Sequence, residues 1–171
     1  MKQKYIDLYM DWAQRVADLS HARRRHVGVV IVKDDTVISY GYNGMPAGWD
    51  NNCENKEWMD RGVGGWLNPD EIEERWPYVA TSDEDGSYIG RYRLTTKPEV
   101  LHAERNALDK LAKRGGIGGV DSSMFITTAP CLECAKSIYG AGIKEVYYTD
   151  EYRSEDGIEF LKNCGVKITK L

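Results

Sequence analysis

The second half of the chain alternates between helical and extended patterns, and this alternation limits the possible folds more than any other feature. Apolar residues at helical spacing predict a helix over residues 102–113. The pattern then predicts a strand over residues 124–128, a helix that stops at residues 140–142, a strand over 145–149, a helix capped by Ser154, and a strand over 166–169. Strands separated by single helices indicate parallel pairing through right-handed crossovers.

A predicted helix and a predicted hairpin precede this alternation. Apolar and aromatic residues between Tyr5 and Leu19 follow helical spacing, so they indicate a packed first helix. Residues 27–32 form a continuous apolar run typical of a buried strand, and residues 37–42 return as a second strand after a turn at Asp34 and Asp35. The sequence therefore predicts an α/β fold on a five-stranded mixed sheet, with one hairpin, three parallel strands and helices on both faces.

The segment from about residue 49 to residue 98 breaks the pattern, and we interpret it as an insertion. It contains four of the five tryptophans, and eleven Asp or Glu against six Lys or Arg. Its aromatic content indicates that much of it folds. The tryptophans are expected in a core or a subunit contact, with platforms for stacked bases as the alternative. With this insertion included, residues 1–171 are predicted to form a single domain.

The composition limits the classes of partner. The chain has 171 residues, a net charge of −4 and a pI near 5.5, which argues against tight polynucleotide binding because such binding usually needs a basic face. No apolar run reaches the ~18 residues of a membrane span, and the N-terminus is too acidic and aromatic for a signal peptide. We therefore expect a cytoplasmic protein without nucleic-acid or membrane partners. The four cysteines are not expected to form a disulfide framework.

Two short motifs place metal-binding side chains at predicted helix starts. His102 and Glu104 stand where one helix begins, and Cys131 and Cys134 stand where the next begins. The two cysteines are three residues apart and so share one helical face. If the two helix starts face each other, His102, Cys131 and Cys134 suit tetrahedral Zn²⁺ with a fourth position left for water. The positive ends of both helix dipoles would favour thiolates there.

Glu104 distinguishes the interpretations of this cluster. As a fourth ligand it would close a structural zinc site, for which Cys53 is the other candidate. Beside the metal-bound water, it could instead accept a proton and pass it on. The CxxC alone would also fit a redox pair, although a redox pair would not need the upstream histidine and glutamate.

The combined pattern resembles a known family. H-x-E, twenty-five residues and P-C-x-x-C is similar to the signature of the zinc-dependent cytidine deaminase superfamily. The segments VGVVIVKDDTVISYGYNGMPAG, HAERNAL and APCLECAKSIYGAGIKEVYY, followed by Tyr152, resemble the deoxycytidylate (dCMP) deaminase family, whose phage-type members carry an insertion before H-x-E. The resemblance implies a cytidine-deaminase-like three-layer fold. It also implies hydrolysis of dCMP to dUMP and ammonia, which feeds thymidylate synthesis.

The resemblance implies a metal site and a catalytic residue. His102, Cys131 and Cys134 would bind Zn²⁺, which lowers the pKa of its bound water. Glu104 would take the water proton, deliver it to N3 of the ring, and transfer a second proton to the departing amine.

Substrate-binding residues follow from the same resemblance. Asn43 would contact the sugar or phosphate, although it could be only a left-handed turn residue. The backbone at Ala103 and Ala129 would hold the pyrimidine edge. Tyr152 and Arg153 would cover the base or reach the phosphate, with plain strand-end packing as the alternative for Tyr152.

Regulation and assembly are also implied. Family members are commonly homohexamers, and many are activated by dCTP and inhibited by dTTP, with Mg²⁺ accompanying the triphosphate. We therefore expect a homo-oligomer with an effector site near the loop GYNGMPAG, where Gly41, Gly44 and Gly48 let backbone N–H groups approach phosphates. The expected effector-binding residues are Gly44, Pro46 and Gly48 in that loop, and Arg23, Arg24 and Arg25 before the first strand. The three arginines could instead be a solvated helix end.

Several alternatives stay open from the sequence. Some relatives bind a second, structural zinc, but His21, His26 and Cys53 are a thin ligand set, so a complete second site is not expected. The chain could instead deaminate free cytidine, tRNA adenosine or single-stranded polynucleotide, or it could be an inactive zinc-stabilised nucleotide sensor. Glu104 separates a sensor from an enzyme, because binding alone needs no proton transfer. The sequence does not predict which triphosphate activates, or whether 5-substituted dCMP is used.

Overall fold

The computed structural model describes residues 1–60, 62, 66–115 and 118–171. In these ranges the helices are α1 Gln3–Ala17, α2 Pro69–Arg75, α3 Ala103–Lys113, α4 Leu132–Gly140 and α5 Asp156–Asn163. The strands are β1 Gly28–Lys33, β2 Thr36–Tyr42, β3 Glu54–Trp58, β4 Tyr78–Thr81, β5 Tyr88–Thr96, β6 Ser123–Thr128, β7 Glu145–Asp150 and β8 Lys167–Lys170. The described residues divide into two compact units, one formed by residues 1–52 with 99–171 and the other by residues 53–98.

The larger unit is built on a five-stranded sheet with the order β2-β1-β6-β7-β8. β1 pairs antiparallel with β2 and with β6, whereas β6, β7 and β8 are parallel to one another. Asp34 and Asp35 turn the β1–β2 hairpin with φ angles of 49° and 56°, the left-handed pair that a two-residue hairpin turn requires. The predicted mixed sheet of one hairpin and three parallel strands is confirmed.

Alternate residues of the central strands face two different helical layers. Val29 and Ile31 pack into a core with buried side chains of α3, α4 and α5. Val30 and Val32 pack into a second core with α1, in which Phe125 stacks on Tyr147 at 4.8 Å between ring centres. Side chains alternate between the faces of a strand, so the continuous apolar run of β1 serves both cores. The predicted helices on both faces, and with them the three layers, are confirmed.

The observed boundaries lie within one or two residues of the predicted ones. Helix α3 begins at Ala103 because His102 has extended backbone angles, with φ −68° and ψ 152°, and is the N-cap residue. At α5, the Ser154 hydroxyl accepts from the Asp156 N–H at 3.2 Å, while Glu155 is the residue directly before the helix. The N-cap residue of α5 is therefore Glu155 and not the predicted Ser154, although the Ser154 hydroxyl still contacts the first residue of the helix.

The smaller unit, residues 53–98, forms a three-stranded antiparallel sheet with the order β3-β5-β4. Its helix α2 starts with a capping box, in which Asn68 accepts from the Glu71 N–H while the Glu71 carboxylate accepts from the Asn68 N–H. Tyr92 is buried and lies 5.4 Å from Trp58 between ring centres. Trp66, by contrast, is 90% exposed and is not a core residue. The insertion folds as expected, and a single domain over residues 1–171 stays a prediction.

Among the described residues, no helix combines the length and the apolar character needed to cross a bilayer.

Candidate active site

The first of two ligand-bearing segments, meaning segments that carry candidate metal ligands, is the start of α3. His102 caps the helix, and Glu104 lies in its first turn with 4% of its surface exposed. Asn106 anchors this turn to the sheet, because its side-chain amide donates to the Tyr42 carbonyl at 2.8 Å. The imidazole therefore lies at the open end of the helix, while the carboxyl group is enclosed beneath it.

The second ligand-bearing segment is the start of α4. Cys131 is its N-cap residue with φ −70° and ψ 167°, and Cys134 follows in the first turn. β6 ends three residues earlier at Thr128, and the Ala129 N–H donates to the Asp150 carbonyl at 2.8 Å. This bond continues the β6–β7 pairing beyond the strand and fixes the entry into α4.

The two helix starts bring His102, Cys131 and Cys134 together. The His102 Nδ1 atom lies 3.6 Å from the Cys131 Sγ atom and 3.3 Å from the Cys134 Sγ atom, and the three donor atoms lie within 4.8 Å of one another. A tetrahedral zinc ion with Zn–S near 2.3 Å and Zn–N near 2.0–2.1 Å separates nitrogen and sulfur by about 3.6 Å. The donor set and its spacing therefore fit Zn²⁺, and the exposed His102 leaves one side of the cluster open.

Hydrogen bonds within the cluster shift the pKa values of the two cysteines in opposite directions. The hydrogen bond from Cys134, with a further one from His102, lowers the pKa of Cys131 to about 3. The same interaction with Cys131, together with burial, raises the pKa of Cys134. The hydrogen bond to Cys131 also raises the pKa of His102. Neither cysteine is in a disulfide, so a thiolate at a helix N-terminus is ready to bind a cation.

Glu104 lies beside this cluster. Burial raises the pKa of its carboxyl group to about 7, while the charge of His102 and a hydrogen bond with Cys134 act in the opposite direction. A carboxyl group with a pKa close to neutrality can both accept and return a proton. The geometry therefore combines a three-donor metal cluster with an adjacent acid–base group.

Asn43 binds the protein backbone on the strand side of the site. Its Oδ1 atom accepts from the Val27 N–H at 2.8 Å, and its amide nitrogen donates to the Arg25 carbonyl at 2.9 Å. Asn43 does not have a positive φ angle, so the alternative of a left-handed turn residue is wrong. Its side chain holds the segment before β1 against the end of β2, and one amide hydrogen remains for another acceptor.

Tyr152 and Arg153 follow β7, and Arg25 lies close to them. The Arg153 guanidinium lies 5.5 Å from the centre of the Tyr152 ring. Its charge lowers the pKa of His102 against the larger effect of Cys131, so Arg153 is within electrostatic reach of the cluster. Arg25 donates to the Glu151 carbonyl at 3.2 Å. Two exposed guanidinium groups, at Arg25 and Arg153, thus border the same loop.

Ala103 and Ala129, which were predicted to contact the pyrimidine through their backbone, differ in which backbone group remains available to a ligand. Ala103 is the first residue of α3, so its N–H lacks an intrahelical acceptor. The N–H of Ala129 is already bonded to Asp150, which leaves its carbonyl as the group that could meet a ligand.

The predicted effector residues differ in whether their backbone groups are already hydrogen-bonded. Gly44 exchanges both backbone hydrogen bonds with Leu101, so its N–H is not available to a phosphate. Pro46 accepts from the Trp49 N–H at 3.1 Å, which closes a turn with Gly48 at φ +89°. Arg23, Arg24 and Arg25 are exposed and lie after α1 has ended at Ala17, so the alternative of a helix end is wrong.

The sequence indicated Gly41 as part of the effector loop and gave Gly157 no role, whereas both glycines lie against the helix starts of the cluster. Gly41 in β2 lies directly against α3, and Gly157 in α5 lies directly against Pro130 and Cys131. The only signal for Gly157 was a glycine within an amphipathic helical pattern. Among the described residues, no second group of three metal-binding side chains converges.

Comparisons with known proteins agree with this geometry. The family model of the cytidine and deoxycytidylate deaminase zinc-binding region matches residues 3–150. Deoxycytidylate deaminase of Enterobacteria phage T2 is 33% identical over 154 residues, which cover 83% of this chain and 79% of that protein. Human deoxycytidylate deaminase is 31% identical over 163 residues, which cover 90% and 73%. The crystal structure of dCMP deaminase from the cyanophage S-TIM5 with dCMP and dUMP is similar at a TM-score of 0.74 and 35% identity, covering 100% of this chain and 99% of that one.

Proposed function

The chain belongs to the family of cytidine and deoxycytidylate deaminases, and from this premise we propose that it catalyses the hydrolytic deamination of dCMP to dUMP and ammonia. The observation that carries the proposal is the buried Glu104 beside the converging His102, Cys131 and Cys134. The names of the phage and human relatives, and the nucleotides bound to the S-TIM5 enzyme, support dCMP as the substrate.

His102, Cys131 and Cys134 would hold the catalytic zinc ion. When bound, Zn²⁺ acts as a Lewis acid that lowers the pKa of a coordinated water toward neutrality. The spacing of the three donor atoms supports this assignment, and so does the match to a zinc-binding family model.

Glu104 carries the proton transfers. Its carboxylate accepts a proton from the attacking water and delivers it to N3 of the cytosine ring while the water oxygen bonds to C4. It then transfers the second water proton to the amino group, the C4–N bond breaks, and ammonia leaves with dUMP as the product. The raised pKa of Glu104, about 7, supports both directions of transfer near neutral pH.

The substrate contacts follow from the groups that the fold leaves available. The Ala103 N–H and the Ala129 carbonyl would meet the polar edge of the pyrimidine. Asn43 would use its remaining amide hydrogen on the sugar or phosphate. Tyr152 would cover the base, and the exposed Arg153 beside it would meet the phosphate.

Deoxycytidine should be a much poorer substrate than dCMP. Charge-assisted hydrogen bonds contribute about 1.5–3 kcal/mol, so loss of the phosphate should lower kcat/KM by about ten- to 150-fold. Ammonia release from dCMP and deoxycytidine measures this ratio. Arg153→Gln should shrink it, whereas Lys144→Gln, at the opposite end of β7, should leave it unchanged. Equal kcat/KM for the two substrates would refute a nucleoside monophosphate as the substrate.

We also propose that deoxynucleoside triphosphates regulate this activity, with dCTP activating, dTTP inhibiting and Mg²⁺ accompanying the triphosphate. The turn at Pro46 and Gly48 and the exposed residues Arg23, Arg24 and Arg25 support a site for anions, while the bonded Gly44 has only a structural part in it. A coupling of ~1–3 kcal/mol should shift the apparent dCMP affinity by about five- to 150-fold. Saturation curves at fixed Mg²⁺, without effector and with each triphosphate, test this. Identical curves without measurable triphosphate binding would end the proposal.

We propose in addition that the chain assembles into a homo-oligomer, a hexamer. Leu8 and Trp12 of α1, and Leu19 two residues after its end, are each about half exposed, and large exposed apolar side chains support a contact between subunits. The supply of dUMP for thymidylate synthesis and a cytoplasmic location stay predictions.

A further inference from the structure

Two glycines contact the helix starts that carry the metal-binding side chains, at distances that leave no space for a side chain. A Cβ atom on Gly41 would lie 2.4 Å from the Ala103 carbonyl oxygen and 2.5 Å from the Ala107 nitrogen. A Cβ atom on Gly157 would lie 2.1 Å from the Pro130 carbonyl oxygen and 2.9 Å from the Cys131 carbonyl carbon. These neighbours are backbone atoms, so a methyl group could be accommodated only if a whole segment moved.

Backbone conformation does not explain these glycines. Neither Gly41 nor Gly157 has a positive φ angle. Gly157 is the second residue of α5, and a helix intrinsically favours alanine over glycine. What each position requires is the space that a side chain would take.

Each glycine sets the position of a different part of the cluster. Gly41 lies under the first turn of α3, which carries Glu104 and follows His102. Gly157 lies against the peptide that enters α4 at Cys131. We infer that Gly41 and Gly157 are positioning residues for the metal cluster, because each lets one ligand-bearing helix start approach to the depth at which the three donor atoms converge.

The inference rests on the proposed zinc site and not on the identity of the substrate. Metal binding is sensitive to such shifts, since zinc ligands must stay near their preferred distances. Loss of groups that orient metal ligands commonly costs 10- to 100-fold in metal affinity. Gly41→Ala and Gly157→Ala should each weaken zinc binding by a factor in that range.

Gly28 provides a control of equal steric severity. A Cβ atom there would lie 2.0 Å from the Ala13 carbonyl oxygen and 2.4 Å from the Ala17 nitrogen. The clash would therefore displace α1, which packs on the opposite face of the sheet and carries none of the three ligands. Gly140, at the end of α4, has nothing within 4 Å of its would-be Cβ atom, and Gly140→Ala serves as the open-space control.

The experiment compares these four variants with the wild-type chain by competition for zinc with a chromogenic chelator. Thermal unfolding is recorded with and without zinc, and the absorption spectrum of the Co²⁺-substituted protein reports ligand geometry. Gly41→Ala and Gly157→Ala should lose 10- to 100-fold in zinc affinity and show an altered cobalt spectrum. Gly28→Ala should unfold at a lower temperature yet keep the zinc affinity and cobalt spectrum of the wild type. Gly140→Ala should match the wild type throughout.

Wild-type zinc affinity in both Gly41→Ala and Gly157→Ala would overturn the inference, and so would an equal loss of affinity in Gly28→Ala. If Gly41→Ala does not fold, the comparison of Gly157→Ala with Gly28→Ala, whose Cβ atoms meet backbone atoms at similar distances, decides the result. A wild-type chain that binds zinc but leaves dCMP unchanged would overturn the proposed function alone. A wild-type chain that binds no zinc would overturn both.

Discussion

The Glu104→Gln variant should retain zinc, and its rate of dCMP deamination should fall by about 10³-fold. Glutamine keeps the size and hydrogen-bonding reach of the side chain but cannot accept and return a proton. General acid–base catalysis contributes about 10²–10⁴-fold, and one residue here serves both proton transfers. The measurements are zinc stoichiometry and kcat from ammonia release.

The matched control for this substitution is Glu133→Gln. Glu133 is also an acidic residue in the first turn of a ligand-bearing helix, between Cys131 and Cys134, but its carboxylate is exposed and pairs with Lys136 at 2.6 Å. Its replacement should leave the rate and the zinc content unchanged. Near-normal turnover by Glu104→Gln would refute the proton-transfer role. An equally inactive wild-type chain that binds dCMP would support the nucleotide sensor instead.

Cys134→Ser should lose the metal and, with it, all measurable activity. Cys134 is the buried member of the cluster, 6% exposed, so water cannot easily replace its sulfur as a ligand. A ligand that binds only the folded state adds about 4 kcal/mol of stability at a thousand times its Kd. The variant should therefore no longer be stabilised by added zinc, whereas the wild-type melting temperature should rise with zinc and fall on chelation.

Cys164→Ser is the control for the loss of a thiol. Cys164 is a half-buried cysteine that follows the last turn of α5, outside the cluster, and its replacement should keep zinc, activity and the zinc-dependent shift in melting temperature. Stoichiometric zinc in Cys134→Ser, measured by elemental analysis after chelator treatment, would contradict the proposed ligand set.

Local sequence patterns were sufficient to predict the family, the five-stranded sheet and the helical layers on its two faces. The single helices between β6, β7 and β8 required parallel pairing, and the apolar run of β1 required burial on both faces. Both follow from side-chain periodicity, which is a property of adjacent residues. The family resemblance, confirmed by the comparisons, rested on motifs of the same local kind.

Other features depended on which segments meet in space. The sequence indicated Asn43 as a ligand contact or a turn residue and gave no signal that its amide also joins the backbone at Arg25 and Val27. Gly44 was expected to offer its N–H to a phosphate, but it pairs with Leu101, 57 positions further along the chain. The order β3-β5-β4 in the insertion likewise had no local signal.

The amino-acid sequence by itself determined the four residues of the candidate site, His102, Glu104, Cys131 and Cys134, and the helix starts that carry them. Only the tertiary structure decided that His102 Nδ1 lies 3.3–3.6 Å from the two sulfur atoms, and that Gly41 and Gly157 leave the space for this approach. The physical reason is that helix periodicity sets where a side chain points along its own segment. The distance between two segments is set by close packing of backbone against backbone, which involves residues far apart in the chain.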